Sequence, residues 1–274
     1  MKALVVLLAI MLVALPSRGD TPPTVGPIEA IYGRSVKGRP LVSYTLGVGP
    51  NVTVISGGVH GNELSTPGLV EKLLGYLKAN PSELDGCTVV LIPRVNPDGD
   101  AAHTRGNARK VDLNRNFPGD WKPKRKGIAL SPGTGPLSEP ESAALAKLID
   151  SVKPAKLVSI HWPFHMLVPT GGDGEQMARV MAGLNGYRVS DSVGYPTPGS
   201  FGTFLHDRQI AGVTLELPKQ SVEAAWRANK AALLAAIHFE IGVDTKPDET
   251  PVRAAPPHAD PGSLRLATPR VGSR

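Results

Sequence analysis

The sequence predicts a single α/β domain over residues 20–244, a mostly parallel mixed β-sheet flanked by helices. Three observations carry this expectation. Short runs rich in β-branched residues alternate along the chain with longer stretches in which Leu and Ala recur at helical spacing. The runs "NVTVIS", "CTVVLIP", "KLVSIH" and "GVTLEL" are mainly apolar rather than alternating, as in strands covered on both faces. Finally, 274 residues with 41% hydrophobic and 20% charged side chains are ordinary globular composition, long enough for a sizeable core. No internal repeat and no second domain are visible.

Residues 28–47, "IEAIYGRSVKGRPLVSYTLG", alternate and turn at Lys37-Gly38, as a β-hairpin does. "NVTVIS" is a strand running into the Gly-rich turn "GGVHGNE". Residues 65–80 open with Ser/Thr as cap candidates and Pro67 in the first turn, then space Leu69, Leu73, Leu74 and Leu77 helically. "CTVVLIPRV" is a second buried strand. Residues 95–136 are rich in Asn, Asp, Gly, Pro and Arg and show no regular element for most of their length. A structureless stretch that long in a compact domain is usually functional. Order returns with the helix "SEPESAALAKLIDSV", the strand "KLVSIH", the helix "EQMARVMAGL", the strand "GVTLEL" and a long closing helix, "SVEAAWRANKAALLAAIHFEIG".

The ends read differently. Lys2 precedes thirteen apolar positions, Ala3 to Leu15, and Ser17-Arg18-Gly19 supplies small residues for a cleavage site. This is the layout of a signal peptide over residues 1–19, and the run is too short for a retained anchor. The expectation is an exported protein, periplasmic or extracellular, without stable membrane insertion after cleavage. Residues 245–274 hold six prolines and five Lys/Arg with little apolar content, the composition of a disordered basic tail. These two segments carry most of the formal charge of +6 and leave +2 for residues 20–244, which is no nucleic-acid footprint. One cysteine, Cys87, excludes an internal disulfide and reads as a small buried hydrophobe.

Three apolar strands end in polar residues, where ligands gather in α/β sheets. The first runs into His60 and Glu63, and the second ends in His161. Two imidazoles and a carboxylate are the donor set of a catalytic zinc site. Each alone also fits a blander role, His60 in a solvent-facing turn and His161 hydrogen-bonded in the core. The third strand, "GVTLELP", places Glu216 on the face of Thr214, while Val213, Leu215 and Leu217 face the other way. Glutamate is rarely buried unless it is paired or working. Glu216 is therefore either a general base for metal-assisted hydrolysis or half of a structural Glu–Arg pair. The irregular region adds Arg105 and Arg115 among Asn107, Asn114 and Asn116, a set suited to gripping a carboxylate and stabilising an oxyanion. Asp112 is a candidate for orienting a metal-bound imidazole.

With these pieces in hand the sequence resembles the zinc carboxypeptidase family, over roughly residues 28–241. The matching segments, in family order, are "GRSVKGRP", "GGVHGNE", "NPDG", "TRGNARKVDLNRNFPG", "SEPES", "SIH", "YPTPGSFGTF" and "TLELP". The resemblance implies one zinc per chain on His60, Glu63 and His161, with Glu216 activating the attacking water. It implies Arg105 polarising the scissile carbonyl, Asn114 and Arg115 holding a free substrate carboxylate, and Asp112 supporting the first histidine. Spacing in this region looks most like the bacterial murein peptide amidases, which cut between γ-D-glutamate and diaminopimelate in cell-wall peptides. One departure concerns the mobile tyrosine of digestive members. Its aligned place is Gly194, so either Tyr195 fills the role one residue along or the role is vacant. Phe201 is a candidate for the specificity pocket. The family pattern begins about ten residues after the signal segment, so no inhibitory pro-domain is expected.

Other readings stay open. A general metallocarboxypeptidase acting on L-peptides shares every motif. A deacylase of the aspartoacylase and succinylglutamate desuccinylase group shares the H-x-x-E turn and "DLNR", but "NPDG", "SEPE" and the export signal speak against it. A non-enzymatic peptidoglycan-binding protein would not need all three ligands with Glu216 and Arg105. H-E-x-x-H, G-x-S-x-G and P-loop patterns are absent.

Overall fold

A computed structural model describes residues 26–124 and 130–242. The expected signal segment and basic tail lie outside the described residues. Strands β1 (Ile28–Arg34), β2 (Pro40–Leu46), β3 (Asn51–Ser56), β4 (Cys87–Ile92), β5 (Lys156–His161), β6 (Met166–Thr170), β7 (Arg188–Val189) and β8 (Ala211–Glu216) form one sheet. Its order is β1-β2-β4-β3-β5-β8-β6-β7. The centre, β4-β3-β5-β8, is parallel, whereas β1–β2, β2–β4 and β6–β8 are antiparallel. The mixed, mostly parallel sheet of the sequence reading is therefore present.

The central strands alternate their apolar side chains between two cores. Ile55, Val89, Leu91, Val158, Ile160, Val213 and Leu215 pack beneath α1 (Ser65–Ala79), α4 (Gly174–Asn185) and α6 (Val222–His238). Val54, Val90, Ile92 and Leu157 pack on the other side with α3 (Pro140–Val152), α5 (Phe201–Asp207) and Phe117. A strand covered on both faces is apolar on both, which is why these runs read as mainly apolar rather than alternating stretches. All six residues of β5 are buried. Cys87 is buried as expected, at 2% exposure, and its thiol is free.

The structure amends three element expectations. Helix α1 starts at Ser65 with Leu64 at the N-cap and no side-chain cap bond. The Thr66 hydroxyl is used instead on the preceding turn, accepting from Gly58 N and donating to Glu63 O, both at 3.0 Å. The 95–136 stretch contains a short helix, α2 (Pro97–Ala102), capped by the Asn96 side chain, and a 3-10 turn at Leu113–Arg115. Strand β6 and helix α5 carry weak local signals, because Pro169 interrupts one and Gly202 the other. Sheet pairing with β8 supports β6. The Ser200 cap and the burial of Phe201, Phe204 and Leu205 support α5. No helix among the described residues is long and apolar enough to cross a membrane.

Candidate metal centre and active-site cavity

The site grows from the carboxyl ends of three adjacent strands. After β3 the chain turns through Gly57 and Gly58 and presents His60 and Glu63, each 2% exposed. Gly61 lies between them because the turn is pressed against α2: a Cβ there would stand 1.9 Å from the Gly99 carbonyl carbon. No other residue fits. His161 closes β5 and Glu216 closes β8, as direct register partners. Sheet order thus brings together residues separated by 156 positions in the chain, from His60 to Glu216.

The Nδ1 atoms of His60 and His161 are 3.3 Å apart. Glu63 bridges them, with Oε1 2.6 Å from His60 Nδ1 and Oε2 3.3 Å from His161 Nδ1. One donor atom from each of the three residues lies within 4.8 Å of the others, and all three residues are buried. Two buried imidazole nitrogens and a carboxylate oxygen converging on one point fit a divalent ion of the zinc type. The remaining ring nitrogens are held from behind. His60 Nε2 lies 3.0 Å from Asp112 Oδ1, as expected of Asp112, and His161 Nε2 lies 3.1 Å from Ser159 Oγ. Such partners fix which nitrogen faces the metal. Ser159 was not singled out in the sequence, although its place two residues before His161 on one strand face marks it.

Electrostatics follow from this packing. Burial disfavours the His60 imidazolium, but the Glu63 and Asp112 carboxylates on either side override it and raise the pKa to about 9. Burial would likewise raise Glu63, and the two imidazoles bring it down to about 2. Asp112 is held well below the usual carboxylate range by His60, Arg105 and Arg115, against the effect of its own burial. Glu216 moves the other way: burial lifts its pKa, the Glu63 charge adds to the rise, and His161 and the Phe164 backbone only partly oppose it. Its Oε2 is buried without a hydrogen-bond partner among the described residues, so the structural Glu–Arg pair of the alternative reading is not formed.

His60, Glu63, His161 and Glu216 line a cavity of about 390 Å³ that also takes in Arg105, Asn114, Arg115 and Tyr195. Arg105 Nε donates to Asp112 Oδ2 at 3.0 Å and Nη1 stands 3.7 Å from Glu63 Oε1, which aims the guanidinium across the metal-ligand cluster. The 3-10 turn supplies Asn114 and Arg115. Asp112 Oδ1 accepts from Asn114 N at 2.9 Å, Asn114 Oδ1 accepts from Phe201 N at 2.8 Å, and Arg115 Nη1 donates to Asn114 O at 2.5 Å. Tyr195 is 46% exposed at the rim, with its ring edge-on to Phe164 at 6.2 Å.

Phe201 requires correction. Its side chain is 1% exposed, stacks against Phe117 and Phe204 in the second core, and is absent from the cavity wall. In α5 the cavity face is occupied by Gly202, Thr203 and His206, so Phe201 points to the opposite side and reaches the site only through its backbone N–H. Sequence reasoning also passed over Trp162, Phe164, Thr170, Asp191 and His206, all on the cavity wall. Thr170 and His206 lie on β6 and α5, whose local signals are weak, and Trp162, Phe164 and Asp191 lie in connections between elements.

Comparison with known proteins agrees with this geometry. Residues 22–174 match the family described as zinc carboxypeptidase. The murein peptide amidase A of Escherichia coli (strain K12) is 36% identical over 209 residues, covering 71% of this chain and 83% of that relative. The Vibrio campbellii protein of the same name is 31% identical, covering 76% and 87%. Among solved structures, murein-tripeptide amidase MpaA from Escherichia coli O157 superposes with a TM-score of 0.63 at 30% identity, covering 81% of this chain and 95% of that one. Site, sheet and sequence likeness agree, and the chain belongs to the zinc carboxypeptidase family.

Proposed function

We propose that this protein is a zinc-dependent murein peptide amidase that cleaves the bond between γ-D-glutamate and diaminopimelate in small cell-wall peptides. The observation that carries the hydrolytic part is the unpartnered, buried carboxyl oxygen of Glu216 in the same cavity as His60, Glu63 and His161. The relatives named murein peptide amidase A, 36% and 31% identical to this chain over the aligned residues, support the choice of substrate.

His60, Glu63 and His161 hold one zinc ion in this reading. Zinc bound there supplies a Lewis acid that acidifies water and polarises a carbonyl. Glu216 removes the proton of the attacking water and delivers it to the departing amine, and its raised pKa suits a group that must both take and give a proton. Arg105, already aimed across the cluster by Asp112, donates to the oxygen on which negative charge develops. Asn114 and Arg115 receive the free carboxylate of the residue being released. The signal-like segment supports a periplasmic or extracellular protein, where such peptides occur.

Mass spectrometry of L-Ala-γ-D-Glu-diaminopimelate incubated with zinc-loaded protein tests the proposal. Release of free diaminopimelate is expected. A protein that ignores this tripeptide and trims ordinary L-peptides from their carboxyl ends would overturn the murein substrate and leave the family assignment intact.

A further inference from the structure

The catalytic roles leave two titratable residues on the cavity wall without a task besides Tyr195. Asp191 lies in the segment after β7, and His206 lies one turn beyond Thr203 on α5. Both are exposed, and neither side chain has a hydrogen-bond or ion-pair partner among the described residues. Thr170 at the end of β6, Thr203 on α5 and Thr214 on β8 line the same cavity with hydroxyls. A recess for an apolar side chain would have no use for an unpaired carboxylate, an unpaired imidazole and three hydroxyls.

We infer that Asp191 and His206 read the far end of the released residue, with Asp191 pairing with a terminal ammonium and His206 donating a ring N–H to a terminal carboxylate. These two contacts match the side chain of the diaminopimelate named above, which ends as a second zwitterionic amino-acid head. The assignment rests on the proposed function. Asn114 and Arg115 take the carboxylate beside the scissile amide, so the side chain runs on into the rest of the cavity, where Asp191 and His206 are the acid and the imidazole without another task. A site that offers charged partners to particular polar groups favours ligands that carry them, because ligands lacking them gain no charge-assisted contact.

Three substrates separate the two contacts: L-Ala-γ-D-Glu-X with X as diaminopimelate, lysine (ammonium without the distal carboxylate) or 2-aminopimelate (carboxylate without the distal ammonium). Asp191→Asn should lower kcat/KM about tenfold for the diaminopimelate and lysine substrates and leave 2-aminopimelate unchanged, the scale of one partly exposed contact. His206→Ala should show the crossed pattern, lowering diaminopimelate and 2-aminopimelate and sparing lysine. Calorimetric titration of the zinc-loaded protein with free diaminopimelate gives a second readout, and each variant should weaken it by a similar factor. Variants that leave both the ranking of the three substrates and product binding unchanged would overturn the assignment, as would equal losses on all three substrates. Wild-type protein that cleaves none of them would overturn the murein reading itself, and this assignment with it.

Discussion

Glu216 sits where a carboxylate is costly, 6% exposed at the end of a buried strand with one oxygen unpartnered among the described residues. That cost supports the role of general base that the proposed function gives it. Glu216→Gln keeps the shape and removes the base, so kcat should fall at least ~10²-fold while zinc content stays at one equivalent. A rate assay paired with elemental analysis checks both halves. His161 makes the opposite case. His161→Ala removes one of three donors, and two remaining ligands make a poor site, so stoichiometric zinc should be lost at neutral pH. Arg115→Ala removes a charge-assisted partner of the substrate carboxylate, worth on the order of 2–5 kcal/mol when the substrate charge is left unpaired. The expected loss in kcat/KM for the diaminopimelate tripeptide is at least ~30-fold. An analogue amidated at that carboxylate should show a much smaller difference between wild type and variant.

At the scale of elements, the residues that touch substrate depend on others that do not. The 3-10 turn at Leu113–Arg115 is anchored by Asn116, which is fully buried. Its Nδ2, with two hydrogens to give, lies 2.7–2.9 Å from the acceptors Pro132 O, Gly135 O and Ser138 Oγ, and its Oδ1 accepts from Glu139 N and Ser142 Oγ. This explains why "SEPES" accompanies "DLNRN" in the chain: one segment is the floor of the other. Asn116→Ala would strand several buried polar groups at once, and a loss of about 3 kcal/mol or more in unfolding free energy is expected from denaturant titration. KM should rise more than kcat falls, because the turn carries Asn114 and Arg115 while the metal ligands lie on other elements.

For the whole molecule, the sheet has two unlike ends. The carboxyl ends of β3, β5 and β8 carry the site, whereas the opposite end of β5 buries Lys156 completely, its ammonium donating to Asn51 Oδ1. Burial lowers its pKa from 10.5 to about 8, with Cys87 and Glu240 only partly opposing the shift. The sign follows from proton counts. Below about pH 8 both folded and unfolded chains hold the proton, and the folded state bears the full cost of a buried charge. Between about 8 and 10.5 the unfolded chain binds more protons than the folded one, so this contribution makes stability rise with pH. Lys156→Met should therefore stabilise the protein at pH 7 by on the order of 1–2 kcal/mol, after allowing for the lost hydrogen bond to Asn51. The gain should fade as pH approaches 10.5. Thermal melts of both proteins across this range measure the difference.

Much of the site was legible before any coordinates, because its constraints are local. A His and a Glu in a Gly-rich turn after an apolar strand, or a Glu closing a buried strand, stand out against their immediate neighbours. The α/β architecture was legible for the same reason, since strands covered on both faces are mainly apolar and do not alternate. Asp112, in the irregular stretch twenty residues past β4, was a candidate from its residue type as well as from the family likeness, and it lies 3.0 Å from His60 Nε2. What the tertiary structure alone decided concerns residues whose role depends on which way a weakly encoded element faces. Phe201 and His206 lie on the same short helix, and only packing against Phe117 on one side and the cavity on the other sends the phenylalanine into the core and the histidine to the site. Asp191 and Thr170 likewise have no sequence neighbours that explain them. Their meaning comes from sheet order and long-range packing, which bring distant segments around one cavity and leave no trace in local pattern.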